Sequence, residues 1–362
     1  MPVPLFDPVS PRAPLRADLR AAVHRVLDGG AFVLGPEVEA FETEFAAYLG
    51  AGHAVGVANG TEAITIALRA LGVGPGDEVV VPSFTFWASA EAIPPTGATP
   101  VFCDVDPDTM CVTAETVQAA LTPKTKAVVV VHLFGNVAPV KEIEALGVPV
   151  LEDAAQAAGS VGADGRPGAV GTIATFSFYP SKNLGAFGDG GAITTGDAAL
   201  AERVRTLRFH GSADKVDYVD IGYNSRLDEL QAAILRVQLP RLDAWAAARA
   251  AAGDRYAAAL DGVVDLPRAT PGTRAAWHLY VIRHAAADRL HTALEAAGIG
   301  ARPYYRTPVH EQPPMRQWAP SRPLPGTAEA ARTHLAIPIG AALTAAQTDE
   351  VSTAIQRALV AA

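Results

Sequence analysis

The chain has 362 residues, 49% hydrophobic and 19% charged, an ordinary globular balance with room for one large α/β unit and a smaller second one. Its net charge of -9 disfavours nucleic acid or an anionic membrane as a general partner, and its two cysteines, Cys103 and Cys111, offer no disulfide framework or zinc cluster. The opening residues lack a basic, apolar leader, and no apolar run approaches the roughly 20 residues a bilayer demands, so a soluble, cytoplasmic protein is expected.

In chain order, His53–Ala58 reads as a strand, and Asn59-Gly60-Thr61 opens a helix with Ile64, Leu68 and Leu71 on one face. Glu78–Pro82, Pro100–Cys103, Ala127–Leu133, Val148–Leu151 and Ile173–Phe178 read as further strands. Several are apolar throughout, Val128–Val131 above all, as expected of strands buried on both faces of a mainly parallel sheet. Strands alternating with helices predict a doubly wound α/β architecture with right-handed crossovers. Ligands of such sheets sit beyond the carboxyl ends of the strands. That rule marks Asn59 to Thr61, Ser83 to Trp87, His132, Asp153 to Gln156 and Ser177 to Lys182. After Leu239-Pro240 the rhythm changes to Ala-rich helix over 241–260, a strand near Trp277–Arg283, and a helix near Asp288–Ala297. A Pro-rich stretch and an amphipathic helix near Thr344–Leu359 complete the chain. A boundary near residue 240 therefore divides a large α/β domain (1–240) from a small C-terminal α/β domain (241–362).

The segment FSFYPSKNLGAFGDGG puts Lys182 in a turn crowded with small residues, after a buried strand. A lysine there can form a Schiff base with a carbonyl cofactor, although spacing alone equally allows a solvated loop lysine. The glycine run is weak as a nucleotide signal, because GxxxxGK[ST] is absent. Asp153 ends a buried strand, where an ionised carboxylate needs a partner; a protonated ring nitrogen is one, and a cap on a following helix is the alternative. Gln156 suits a hydrogen bond to a ring substituent, or is an ordinary helix-surface residue. Asn59-Gly60-Thr61 offers a helix start to a phosphate, with Thr61 equally able to be a plain N-cap. Phe84, Phe86 and Trp87 form an aromatic cluster that packs the core or stacks on a ring. The histidines show no HExxH or other metal spacing, so no metal is expected.

Together, ANGTEAITIAL, VPSFTFWASAEAI, VLEDAAQAAGS, FSFYPSKNLGAFGDGGAI and GYNSRLDELQAAIL resemble, in that order along the chain, the motifs of the DegT/DnrJ/StrS sugar aminotransferases. FVLGPEVEAFETEFAAYLG and LAIPIGAALTAAQTDEV resemble that family's two ends, so the likeness covers almost the whole chain. It implies the aspartate-aminotransferase-like fold (fold type I) and pyridoxal 5'-phosphate as cofactor, with pyridoxamine phosphate formed in turnover. By the same resemblance Lys182 anchors the cofactor and moves protons, Asp153 pairs with the ring nitrogen, Gln156 meets the ring hydroxyl and Phe86 stacks. Gly60, Thr61 and Ser177 hold the phosphate, and Asn224 reaches it from the second subunit of a homodimer. YYRTPVH resembles the sugar-side segment His-Tyr-Pro-x-Pro-x-His: Tyr305, Pro308 and His310 match, whereas Tyr304 and Arg306 depart.

The implied substrates are a nucleotide-linked keto sugar and an amino acid, usually glutamate. The YPSKNLGAxGDGG wording leans towards 3-keto over 4-keto sugars, and relatives that dehydrate sugars carry histidine at the position of Lys182. A non-catalytic, cofactor-bound regulator of the same fold is the alternative. A nicotinamide oxidoreductase would need G-x-G-x-x-G after the first strand, where ANGTEA stands.

Overall fold

The computed structural model describes residues 2–360. Seven strands form one sheet: β1 (His53–Val57), β2 (Glu78–Pro82), β3 (Thr99–Cys103), β4 (Thr125–Val131), β5 (Val150–Asp153), β6 (Ile173–Ser177) and β7 (Gly191–Thr195). Their order is β1-β7-β6-β5-β4-β2-β3. The pairs from β3 through β6 are parallel, while β7 runs antiparallel to both β6 and β1. Val128 to Val131 are buried, as both-face coverage requires.

β7 is the strand the sequence hides. Its GAITT run follows GDGG and reads as the tail of a glycine-rich loop, yet it pairs residue for residue with β1, from His53↔Thr195 to Val57↔Gly191. Because β7 is reversed, the segment 178–190 is a hairpin loop rather than a crossover. β1 therefore points the same way as β6, and the ends of β1, β2, β4, β5 and β6 open on one edge.

Helices cover both faces. Gly60–Ala70 packs on β6 and β7 with Ile64, Ala67 and Leu68 buried. Pro36–Leu49 packs on β1, and its Phe41 and Phe45 rings meet Phe178 edge-on at 5.4 and 5.5 Å. A second sheet pairs β8 (Tyr280–Arg283) with β9 (His334–Ile337), antiparallel. Its core draws on the helices Leu242–Leu260, Ala287–Ala296 and Ala345–Val360. Val3 joins that core from the other end of the chain, bridging to Ile299.

His132 is structural. It is fully buried, its Nδ1 accepts the Ala138 N–H, and its Nε2 therefore donates to Glu152 Oε2 at 2.8 Å. Burial would raise the Glu152 pKa, but the His132 bond and the amides of Gly168 and Gly171 hold it below the ordinary value. The pair sits within the sheet and anchors the loop that leads into β6.

No described helix is long and apolar enough to cross a membrane.

Candidate active site

A cavity of about 530 Å³ opens where the parallel strands end. Asp153, the last residue of β5, is flanked by Val131 of β4 and Thr175 of β6. It is 5% exposed, accepts the Ser89 hydroxyl at 2.7 Å on Oδ2, and accepts the Ala155 N–H at 3.2 Å on Oδ1. Thr85 bonds Ser89 in turn at 2.9 Å. No helix follows Asp153, so the capping alternative falls; residues 155–159 are turn. The carboxylate has two neutral donors and no cation bonded to it among the described residues. A buried charge so placed calls for a positive partner.

That cation is not supplied by ion pairing with Lys182, although both residues line the cavity. The loop carrying Lys182 is closed by Ala186 N–H to Phe178 O (2.7 Å), and the Lys182 amide donates to Tyr179 O (2.8 Å). Burial pushes the Lys182 ammonium down from 10.5 to about 8, against the upward pull of the Asp153 charge. Half the amine is therefore free at a pH where an ordinary lysine is almost wholly protonated. The depressed pKa penalises the protonated fold, so this group's contribution to stability improves as pH rises from about 8 towards 10.5. Capture of an aldehyde by the cofactor-free protein should consequently titrate with a midpoint near 8, and Asp153→Asn should move it lower. Stopped-flow absorbance across the neutral-to-alkaline range reads both, and a midpoint near 10.5 would contradict the burial.

At the other side of the cavity the helix Gly60–Ala70 begins. Asn59, not Thr61, is its N-cap: the Asn59 Oδ1 accepts the Glu62 N–H at 2.9 Å. The N–H groups of Gly60 and Thr61 have no acceptor among the described residues. They stand beside Ser177 as a ready anion cradle at the positive end of the helix. A Cβ added at Gly60 would lie 2.7 Å from Ser177 Cβ. Gly60→Ala is therefore expected to cost about 1–3 kcal/mol through forced backbone displacement. A drop in melting temperature with weaker phosphate-dependent cofactor uptake checks it.

Phe86 and Tyr305 complete the aromatic lining, with centroids 5.8 Å apart and planes tilted 44°. Gln156 is buried rather than on a helix surface. Its Oε1 accepts the Phe134 N–H (2.7 Å) and its Nε2 donates to the Tyr305 hydroxyl (3.3 Å). Burial pushes the Tyr305 phenol above its ordinary range, so it remains a neutral hydrogen-bonding group.

Lys182, Asp153, Gln156, Phe86, Gly60, Thr61, Ser177 and Tyr305 thus share one cavity. Two sequence candidates do not. Asn224 is exposed and bridges to Phe209 outside it. His310 lies behind the lining, its Nδ1 2.5 Å from Ser83 Oγ and its ring tilted over Phe102. The Val309 N–H also bonds Ser83 O, so this segment pins the 304–311 stretch to the end of β2. Its histidine aligns with the sugar-side pattern in sequence, but its ring is engaged by Ser83 and is not part of the cavity lining.

Ser89, Phe6 and His278 line the cavity with no forewarning in the sequence. Ser89 lies in a run of small residues whose spacing marks nothing. Phe6 and His278 stack at 5.9 Å from segments far apart in the chain, a juxtaposition no local pattern can reveal. Burial, then the charges of Lys182 and Arg249, lower the His278 pKa well below its ordinary value and keep it neutral.

A family model described as the DegT/DnrJ/EryC1/StrS aminotransferase family matches residues 14–356. The chain belongs to that family. It is 45% identical to a dTDP-3-amino-3,4,6-trideoxy-alpha-D-glucose transaminase of Streptomyces venezuelae, over 93% of this chain and 91% of the relative. It is 43% identical to a UDP-N-acetyl-3-dehydro-alpha-D-glucosamine 3-aminotransferase of Acidithiobacillus ferrooxidans, over 99% and 98%. Among solved structures, S. venezuelae DesV in complex with a ketimine intermediate superposes with a TM-score of 0.95 at 45% identity, covering 98% of each chain. Bacillus subtilis NtdA with bound cofactor PMP gives a TM-score of 0.86 at 29% identity, covering 95% of this chain and 82% of that one. The fold is accordingly the aspartate-aminotransferase-like fold type I, and the chain is an aminotransferase by family.

Proposed function

We propose that this protein uses pyridoxal phosphate to move an amino group from an amino acid, glutamate foremost, onto a keto-sugar nucleotide. The observation that carries this reading is the placement of Lys182, Asp153 and the amides of Gly60 and Thr61 around one cavity. A phosphorylated pyridine aldehyde needs those three groups: an amine, an acid against the ring nitrogen, and an anion cradle.

When bound, the cofactor supplies an electron sink for the carbon that loses or gains a proton. The chain's residues do the rest. Asp153, held by Ser89 and the Ala155 amide, would keep the ring nitrogen protonated. Gly60, Thr61 and Ser177 would hold the phosphate, Phe86 would stack on the ring, and Gln156, bonded to Tyr305, would meet the ring substituent. Lys182 Nζ, partly deprotonated near neutral pH, would hold the aldehyde and would be the group that moves the proton at the reacting carbon. The lining of Phe86, Tyr304 and Tyr305 limits water around the amine.

Tyr305 meets the sugar in this reading, while His310 supports the segment that carries it. Asn224 serves the phosphate of a second copy's site, which the exposed apolar side chains of Val216, Tyr218, Val219 and Ile221 on the preceding loop support. Both relatives are named for a sugar aminated at C3, which favours a 3-keto substrate here. The test is a panel of 3-keto and 4-keto sugar nucleotides with glutamate and pyridoxal phosphate, products read by mass spectrometry. Amine formed from a 3-keto member at the higher kcat/KM is expected. A chain that binds the cofactor and turns over none of the panel would overturn the reading in favour of a regulator.

A further inference from the structure

Arg12 lies in the turn Ser10–Leu15, far from Lys182 in sequence. Its guanidinium pairs with no carboxylate among the described residues and spends its donors on neutral acceptors instead. Nη2 donates to Pro180 O and Gly185 O, both at 3.1 Å, Nη1 to Pro8 O at 2.9 Å, and Nε to Gln238 Oε1 at 2.8 Å. Gln238 is fully buried and returns its own Nε2–H to Gly185 O at 3.0 Å. The carbonyls of residues 180 and 185 flank Lys182 on its two sides.

Two further observations converge on that contact. A Cβ on Gly185 would lie 2.6 Å from Arg12 Nη2 and 2.7 Å from Pro180 O, so the loop approaches the guanidinium as only glycine can. The Arg12 guanidinium also sits 5.4 Å from the Phe187 ring centre, holding the outgoing side of the loop. Burial depresses the Arg12 pKa with no anion to offset it, a cost that a surface arginine would escape by swinging into water.

We infer that Arg12 is a positioning residue: it clamps the two sides of the loop 178–190 together and so fixes where Lys182 presents its amine. The inference rests on the proposed role of Lys182, and it assigns the glycine at 185 a reason that ligand contact does not give.

The experiment compares wild type, Arg12→Met and Arg12→Lys. Amide hydrogen exchange on the cofactor-free proteins should show faster exchange in 178–190 for Arg12→Met, with the strands of the large sheet unchanged. In the pyridoxal-phosphate-loaded enzymes kcat should fall about 10- to 100-fold, the scale of a reacting group displaced by up to an ångström, while KM for the sugar nucleotide changes little. The pH midpoint of the cofactor absorbance should shift as well, and Arg12→Lys should recover part of each effect. Unchanged exchange and kcat in Arg12→Met would overturn the inference, and so would faster exchange throughout the sheet, which marks a general structural role. If Arg12→Met does not fold, Arg12→Lys carries the same two readouts, and wild-type values in both overturn it. A wild-type protein that takes up no cofactor sinks the proposed function instead, and leaves the exchange comparison standing.

Discussion

Replacing Lys182 with alanine should lower transamination by about 10³-fold or more, because in the proposed reaction one side chain is both the covalent anchor and the proton carrier. No other lysine can substitute. Among the chain's five, Lys124 and Lys126 flank the start of β4, at the opposite edge of the sheet from the cavity. Lys141 bonds Glu144 and Val170 O, and Lys215 lies over the Phe209 ring. Lys182→Arg should lose as much, since it keeps the charge and discards the nucleophile. Borohydride treatment of the loaded wild type, followed by peptide mapping, should place the reduced cofactor on Lys182 alone. Turnover near wild type in Lys182→Ala, or a label on another lysine, would break the assignment.

Asp153→Asn should cost about 10²- to 10³-fold in kcat, corresponding to about 3–4 kcal/mol for leaving a charged partner unmatched in a buried site. Asparagine keeps the shape, and its carbonyl can still accept the Ala155 amide, so the loss isolates the charge. Stability separates two outcomes. The cofactor-free protein should be as stable as wild type or more so, because a buried carboxylate without a bonded cation is gone. The loaded protein should lose most of its cofactor-dependent rise in melting temperature. A variant within a few-fold of wild-type kcat would mean that Asp153 does not face the ring nitrogen.

Much of this was legible in the sequence because the information was local. Val128 to Val131 announce a strand buried on both faces, and Asp153 and Lys182 stand at strand ends where ligands gather. Asp153 also shows how far local reading goes: capping and ring pairing looked alike until the absence of a following helix separated them. Thr61 was an equally good cap on paper, and Asn59 took that role because its side chain reaches the third amide of the helix. What stayed hidden depended on distant segments. β7 has threonines and a glycine where a buried strand usually has branched apolar side chains, and only its register with β1 makes it a strand. His310 fits the sugar-side wording, yet its contact with Ser83 draws it behind the lining. Asn224 can be given a role only with a second copy present.

The Phe6–His278 stack brings the first residues of the polypeptide to the cavity wall, and the Val3–Ile299 bridge ties those same residues into the core of the small sheet. On the ribosome, the residues around Lys182 emerge well before the wall formed by 278–305 has been made. The central sheet can assemble early, but the chamber reaches its final outline only when the late segments settle against the first few residues. Such long-range closure is slow by its topology. Cofactor capture should therefore trail synthesis rather than accompany it, and trimming the first few residues should damage the cavity even where the sheet survives.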